Sequence, residues 1–290
     1  MRILSTVLAA VGAAVALGLM ASSAAAADNG PTVCSQDTNS FSGTAQNLIV
    51  PQGGYCQIDS ATITNNLIVQ HDAGADVTNS TIQNDILMQG QNNGSLATST
   101  VGHDVRVGLG SNLNLALDTI EHDFVASQAN DIGTGSTGPP PSPSGPTSVG
   151  HDFVLNGAPG PQDDGAFVFD GLCDLTVGHD LQITNRWVTL GSRVGDEDGS
   201  CPLYSVSVGH DLVESNDTAL TGFFGPSPLE IGNTTVANDL IVTGNTATGG
   251  IEVSDNHVGG DAMCAGNSPS PSGDGPGDGP NVVGGTNTCG

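Results

Sequence analysis

The chain has no lysine. Its four arginines stand against 30 Asp and Glu, a formal net charge of -26 at neutral pH. Such a surface repels nucleic-acid phosphate and anionic lipid, so neither is an expected partner, while cations or basic surfaces are. Aromatic residues are also scarce, at 3% with one Trp and two Tyr, which leaves little to build the stacking platforms of a sugar cleft. Beyond residue 27 the only cations are Arg106, Arg186 and Arg193. That poverty argues against cleavage of uronate polymers, whose charge must be stabilised by positive groups. No CxxC pair and no GxSxG elbow occurs. No later stretch keeps a 3.6-residue apolar period, and none approaches the ~20 apolar residues needed to span a bilayer.

Residues 1–27 read as a secretory signal peptide. Arg2 gives a positive start, Ile3 to Met20 is apolar, and Ala25 and Ala27 form an A-x-A site before Asp28. The six cysteines, Cys34, Cys56, Cys173, Cys201, Cys264 and Cys289, are an even number in an exported chain, so disulfides are expected. Six cysteines allow fifteen connectivities. The sequential set, Cys34–Cys56, Cys173–Cys201 and Cys264–Cys289, closes the shortest loops and is the expected one.

One phrase recurs: Val101-Gly102-His103-Asp104-Val105, then Val149 to Phe153, Val177 to Leu181 and Val208 to Leu212. Looser copies occur at Ile82 to Ile86, Ile120 to Phe124 and Val236 to Leu240. Its Asn or Asp falls at Asn47, Asn66, Asp85, Asp104 and Asp123, four intervals of 19 residues. The series continues at Asp152, Asp180, Asp211, Asp239 and Asp261 with intervals of 29, 28, 31, 28 and 22, the longer ones holding Gly/Pro-rich inserts. Apolar columns keep fixed offsets from this position. Leu67, Ile86, Val105, Phe124, Phe153, Leu181, Leu212 and Leu240 form one column, and Val69, Met88, Val107, Leu155, Ile183 and Val242 another two residues on. That second column breaks at Ala126 and Glu214.

A spacing of two is strand alternation, while the spacing of five elsewhere in the unit requires a corner. Turn formers stand there: Asn79, Asp174, Asn233 and Asp255. Short strands, corners and a fixed period predict an all-β fold, a parallel β-helix (β-solenoid) of about ten coils with a repeat of roughly 19 residues and inserted loops. Parallel crossovers are overwhelmingly right-handed, and no six-residue apolar period marks a left-handed helix, so a right-handed coil is expected. The expected organisation is an N-terminal cap over 28–57, a β-helix over 58–265, and a Gly/Pro-rich, disulfide-tied C-terminal cap over 266–290.

The ending, Met263-Cys264-Ala265-Gly266-Asn267-Ser268-Pro269 followed by Asn281-Val282-Val283-Gly284-Gly285 and Cys289, resembles the tail of secreted actinobacterial repeat proteins of uncharacterised function. With the VGxD repeats, the resemblance covers most of the chain beyond residue 27. It implies a secreted β-helix and carries no catalytic residues over. The short stacked coils are similar in general form to bactofilins. Those are cytoplasmic scaffolds, and the export signal departs from them.

A histidine beside an aspartate invites a catalytic reading, but the histidine column starts at Gln46 and otherwise also holds Asn65, Asn84, Asn238, Gly260 and Gly285. Asn, His and Gly are enriched at positive φ, which predicts a left-handed corner with the following Asp capping backbone N–H groups. Adjacent His and Asp do not make a triad, which needs three mutually orienting groups. A carboxylate ladder of Asp104, Asp123, Asp152, Asp180 and Asp211 wants counter-charge, and Ca²⁺ is its candidate cofactor. Imidazoles repeated along a corner do not converge on one tetrahedral point, which disfavours a zinc or copper row. The reading that results is a secreted, non-catalytic structural or cell-surface protein. Its expected partners are an envelope component or a second copy. The alternatives are a polysaccharide-active enzyme on a β-helix and a Ca²⁺-binding repeat protein.

Overall fold

The computed structural model describes residues 30–34, 39–135, 146–157, 169–195, 205–222, 225–273 and 279–289. Pro31–Gly290 forms one compact unit. The described residues hold strands and turns and no helix, and all the strand ladders are parallel. This is the all-β parallel solenoid that the columns predict.

One coil shows the plan. Val105–Val107 makes the first strand, Asn112–Ala116 the second and Thr119–Ile120 the third. Each pairs with its equivalent in the coils before and after. Val105 lies between Ile86 and Phe124, and Ile120 between Val101 and Val149. The first strands of all coils, from Thr32–Val33 to Ala262–Ala265, form one eleven-stranded sheet. At ~4.8 Å per strand this sheet is about 50 Å long.

The apolar columns all point inward. Leu67, Val105, Leu155, Leu181, Leu212 and Leu240 are buried, and Phe124 stacks on Phe153 with ring centroids 4.4 Å apart. Each buried Val, Leu or Phe contributes roughly 1.5–3 kcal/mol, so the interior is one continuous column of stabilising contacts. The broken positions are filled differently: Ala126 makes room beneath Leu155, and Glu214 is fully buried.

Left-handed backbone occurs at two of the corners. One holds Asp72, Gln91, Gln128, Asn185 and Asn216, and the other Asn79, Thr98, Leu117, Asp174, Asn233 and Asp255. The His-Asp corner is not left-handed, contrary to the sequence expectation: none of its histidines has positive φ. The reason is that coil-to-coil backbone bonding runs straight through this corner. His151 N–H donates to the His122 carbonyl at 3.0 Å and His179 N–H to that of His151 at 3.0 Å. Glycine precedes four of the five stacked histidines, where the coils approach closely, while Glu121 precedes His122. A Cβ on Gly178 would lie 2.1 Å from the Gly150 carbonyl oxygen.

In the later coils the longer interval contains a further short strand. Trp187–Val188, Thr218–Ala219 and Thr246–Ala247 stack as a three-stranded sheet. The inserts over 136–145, 158–168 and 196–204 lie outside the described residues. Toward the end, Val282–Val283 pairs with His257–Val258, and Ser268, Ser272 and Asn287 bridge to Thr246, Glu252 and Ala262. The segment expected as a cap therefore follows the coil beneath it.

Cys34–Cys56 and Cys264–Cys289 are disulfides, joining residues 22 and 25 apart. Cys173 is disulfide-bonded, and Cys201, its expected partner, lies outside the described residues. Residues 1–27, expected as a signal peptide, lie outside them too. No helix among the described residues is long and apolar enough to cross a membrane.

Candidate functional site: the histidine–aspartate row

Corners leave backbone N–H groups that no strand neighbour satisfies, and these must find other acceptors. At the His-Asp corner the acceptor is a side chain from the preceding coil. Asp104 N–H donates to Asp85 Oδ1 at 3.2 Å, Asp152 N–H to Asp123 Oδ1 at 3.1 Å and Asp211 N–H to Asp180 Oδ1 at 3.1 Å. The series starts on asparagine, with Asn66 N–H on Asn47 Oδ1, and ends with Thr286 N–H on Asp261 Oδ1.

The same Oδ1 accepts a second bond. His103 Nδ1 donates to Asp85, His122 to Asp104, His151 to Asp123, His179 to Asp152 and His210 to Asp180, each at 2.9 Å. The hydrogen-bond acceptor is not the neighbouring aspartate of the motif, whose carboxylate stands 3.3–3.4 Å from the same Nδ1. The acceptor lies 18 to 30 residues earlier, one coil below. The carboxylate only accepts, so Nδ1 carries the proton in the neutral as well as the charged imidazole. The rings stack as a column. Centroids are 4.9 Å apart for His103/His122, 5.0 Å for His151/His179 and 4.8 Å for His179/His210, with planes within 3°. The His122/His151 step is looser, at 5.4 Å and 13°.

Where the column holds asparagine, the amide makes the same bond. Asn65 Nδ2 donates to Asn47 Oδ1 at 2.8 Å, Asn84 to Asn66 at 2.7 Å and Asn238 to Asp211 at 2.7 Å. Where it holds glycine, the acceptor occupies the space of the missing side chain. A Cβ on Gly260 would lie 2.2 Å from Asp239 Oδ1.

The electrostatics follow from this geometry. The hydrogen bond to Asp85, with the nearby Asp104 charge, raises the His103 imidazole above its ordinary range, and the bond to Asp180 does the same for His210. Burial raises the Asp104 carboxyl, but bonds from Arg106, His122 and the Asp123 N–H outweigh it and hold the group below the usual carboxylate range. Asp180 behaves likewise, with His210 and the Asp211 N–H outweighing burial. Arg106 lies over the corner and donates to Asp104 Oδ2 at 2.8 Å.

The five aspartates read from sequence as a calcium ladder thus sit one per coil along one corner. Their Oδ1 atoms face N–H donors: Asp104 takes His122, Asp123 takes His151, Asp152 takes His179, Asp180 takes His210 and Asp211 takes Asn238.

Side-chain ladders serve the other corners as well. Ala61 N–H donates to Ser80 Oγ, Ser80 N–H to Ser99 Oγ, and Ser99 N–H to Asp118 Oδ1. Burial pushes the Asp118 carboxyl up to about 7, against the bonds from the Ser99 and Ala116 N–H groups. At a third corner Arg186 N–H donates to Asp217, Asp217 to Asn245, and Asn245 to Asn267. The Arg186 side chain is buried, and its guanidinium donates to the Ala129 and Gly157 carbonyls, both at 2.7 Å. No periodic signal announces Arg186. Its only mark in the sequence is that a cation is rare here.

No family model, no curated protein and no solved structure matches the chain.

Proposed function

We propose that the chain is an exported, non-catalytic structural protein, an acidic solenoid whose loops and flanks meet a cell-envelope component or a second copy. The observation that carries this reading is the exchange of histidine for asparagine in one column. Asn65, Asn84 and Asn238 make the bond that five histidines make elsewhere, and an amide cannot act as a general base. The repeated motif is therefore a joint between coils, and its repetition follows from the repetition of the coil. Export is supported by the apolar, A-x-A-terminated leader and by the disulfides, which persist in oxidising compartments.

The test is a pulldown of the mature chain on the producer's own envelope, run beside a polysaccharide hydrolysis and lyase panel. The reading expects retention on the envelope or self-association, with no turnover. Turnover that survives purification and falls on replacing a carboxylate would overturn it in favour of the enzyme.

A further inference from the structure

Histidine does one thing in this column that asparagine cannot. Both donate to the aspartate below, but only imidazole has a second nitrogen. With Nδ1–H fixed on the carboxylate, the neutral ring presents the Nε2 lone pair. The rings are 45–49% exposed, so this atom is on the solvent side of the row. A metal-binding histidine typically has this arrangement: one nitrogen on the metal, the other N–H on a carboxylate that fixes the ring and raises its basicity.

We propose that the row binds borderline transition-metal dications, Zn²⁺ or Cu²⁺, through Nε2 atoms of neighbouring rings. Convergence of four imidazoles on one tetrahedral point is not required. Two rings from adjacent coils, with water completing the shell, suffice for an exposed site. His103 with His122, His151 with His179, and His179 with His210 each group with the aspartate between them, and the near-parallel rings, anchored alike through Nδ1, set successive Nε2 atoms about one centroid spacing apart, 4.8–5.0 Å. Zn–N bonds of ~2.0–2.1 Å need the two nitrogens about 3.3 Å apart in a tetrahedral site. Each Nε2 then moves by roughly 0.8 Å, a tilt of about 20° about the anchored Nδ1, which the hydrogen bond tolerates. The anionic row supplies counter-charge, since each imidazole stands between two carboxylates.

The stacking divides the row. The step from His122 to His151 is the widest and most tilted, and it is the one step absent from the ligand groups. This gives one site at His103/His122 and one within His151/His179/His210, whose shared His179 cannot serve two ions at once. The expected capacity is two dications per chain. Imidazole nitrogen selects these ions over Ca²⁺, which takes oxygen ligands.

Isothermal titration of the metal-free chain with ZnCl₂ at pH 7.5 tests this, with CaCl₂ as the control. The wild type is expected to take up two Zn²⁺ and to give no saturable heat with Ca²⁺. His122→Asn should lose one of the two and His179→Asn the other. The double variant should bind none, while melting within a few degrees of the wild type in the absence of metal, because asparagine preserves the joint. Unchanged Zn²⁺ uptake in the double variant, or equal uptake of Ca²⁺, would overturn the proposal in favour of carboxylate binding. If either variant fails to fold, the Cu²⁺ electron paramagnetic resonance spectrum of the wild type decides. Nitrogen hyperfine splitting from two imidazoles is expected, and an oxygen-only spectrum contradicts the site. Failure here leaves the structural reading standing, since that rests on Nδ1 alone.

Discussion

His151 holds its place in the fold through one proton on Nδ1, shared with Asp123 a coil below at 2.9 Å. Removing that donor leaves Asp123 Oδ1 with the Asp152 N–H alone, so His151→Ala is expected to cost about 1–2 kcal/mol. His151→Asn should cost less than half of that at pH 8, measured by urea unfolding. The bond also sets a pH dependence. The His103 and His210 imidazoles are raised by Asp85 and Asp180, with Asp104, Asp211 and Asp239 adding to the field and Arg106 opposing it at His103. A group raised in the folded state contributes stability that is complete below its unfolded value, near 6.5, and is lost as pH rises through the folded value. Melting temperature should therefore fall as pH rises above about 6.5, and the His103→Asn, His210→Asn double variant should flatten that fall. Asp118 acts in the same direction for a different reason. Burial raises its carboxyl to about 7, so the folded chain loses stability as pH climbs from the ordinary carboxylate range to that value. The loss is on the order of 4 kcal/mol by the raised value alone. Ser80 and Ser99 fill the same column without charge, so Asp118→Ser should raise the melting temperature at pH 8 and much less at pH 4.

At the scale of the element, each strand is too short to stand alone, and the coils are joined by backbone ladders, apolar columns and corner side chains together. Phe124 and Phe153 are fully buried and stacked, so Phe153→Ala is expected to cost about 3–5 kcal/mol, read from denaturant unfolding. The apolar columns were legible from spacing alone because a two-residue alternation and a 19-residue repeat leave few other folds. The corners were less legible. Asn79, Asp174, Asn233 and Asp255 were readable as turn residues and are left-handed. The histidine column shared their residue types for another reason, which is side-chain donation to the coil below. Sequence shows which residues are adjacent, and His103 bonds Asp85 rather than depending on adjacent Asp104 alone. The short strands at Trp187–Val188, Thr218–Ala219 and Thr246–Ala247 were hidden because the intervals containing them also carry inserts that break the period.

Over the whole molecule, ladders at three corners and a continuous apolar interior make every coil depend on its neighbours. Such a chain gains stability by nearest-neighbour contact, and the His-Asp motif is one of those contacts. The direct test replaces all five stacked histidines at once: His103→Asn, His122→Asn, His151→Asn, His179→Asn and His210→Asn. Thermal unfolding of this variant and the wild type is compared at pH 8, free of metal, by circular dichroism. The account predicts the same β-rich spectrum and a melting temperature within a few degrees of the wild type. A variant that does not fold, or that melts far below the wild type at this pH, would contradict it.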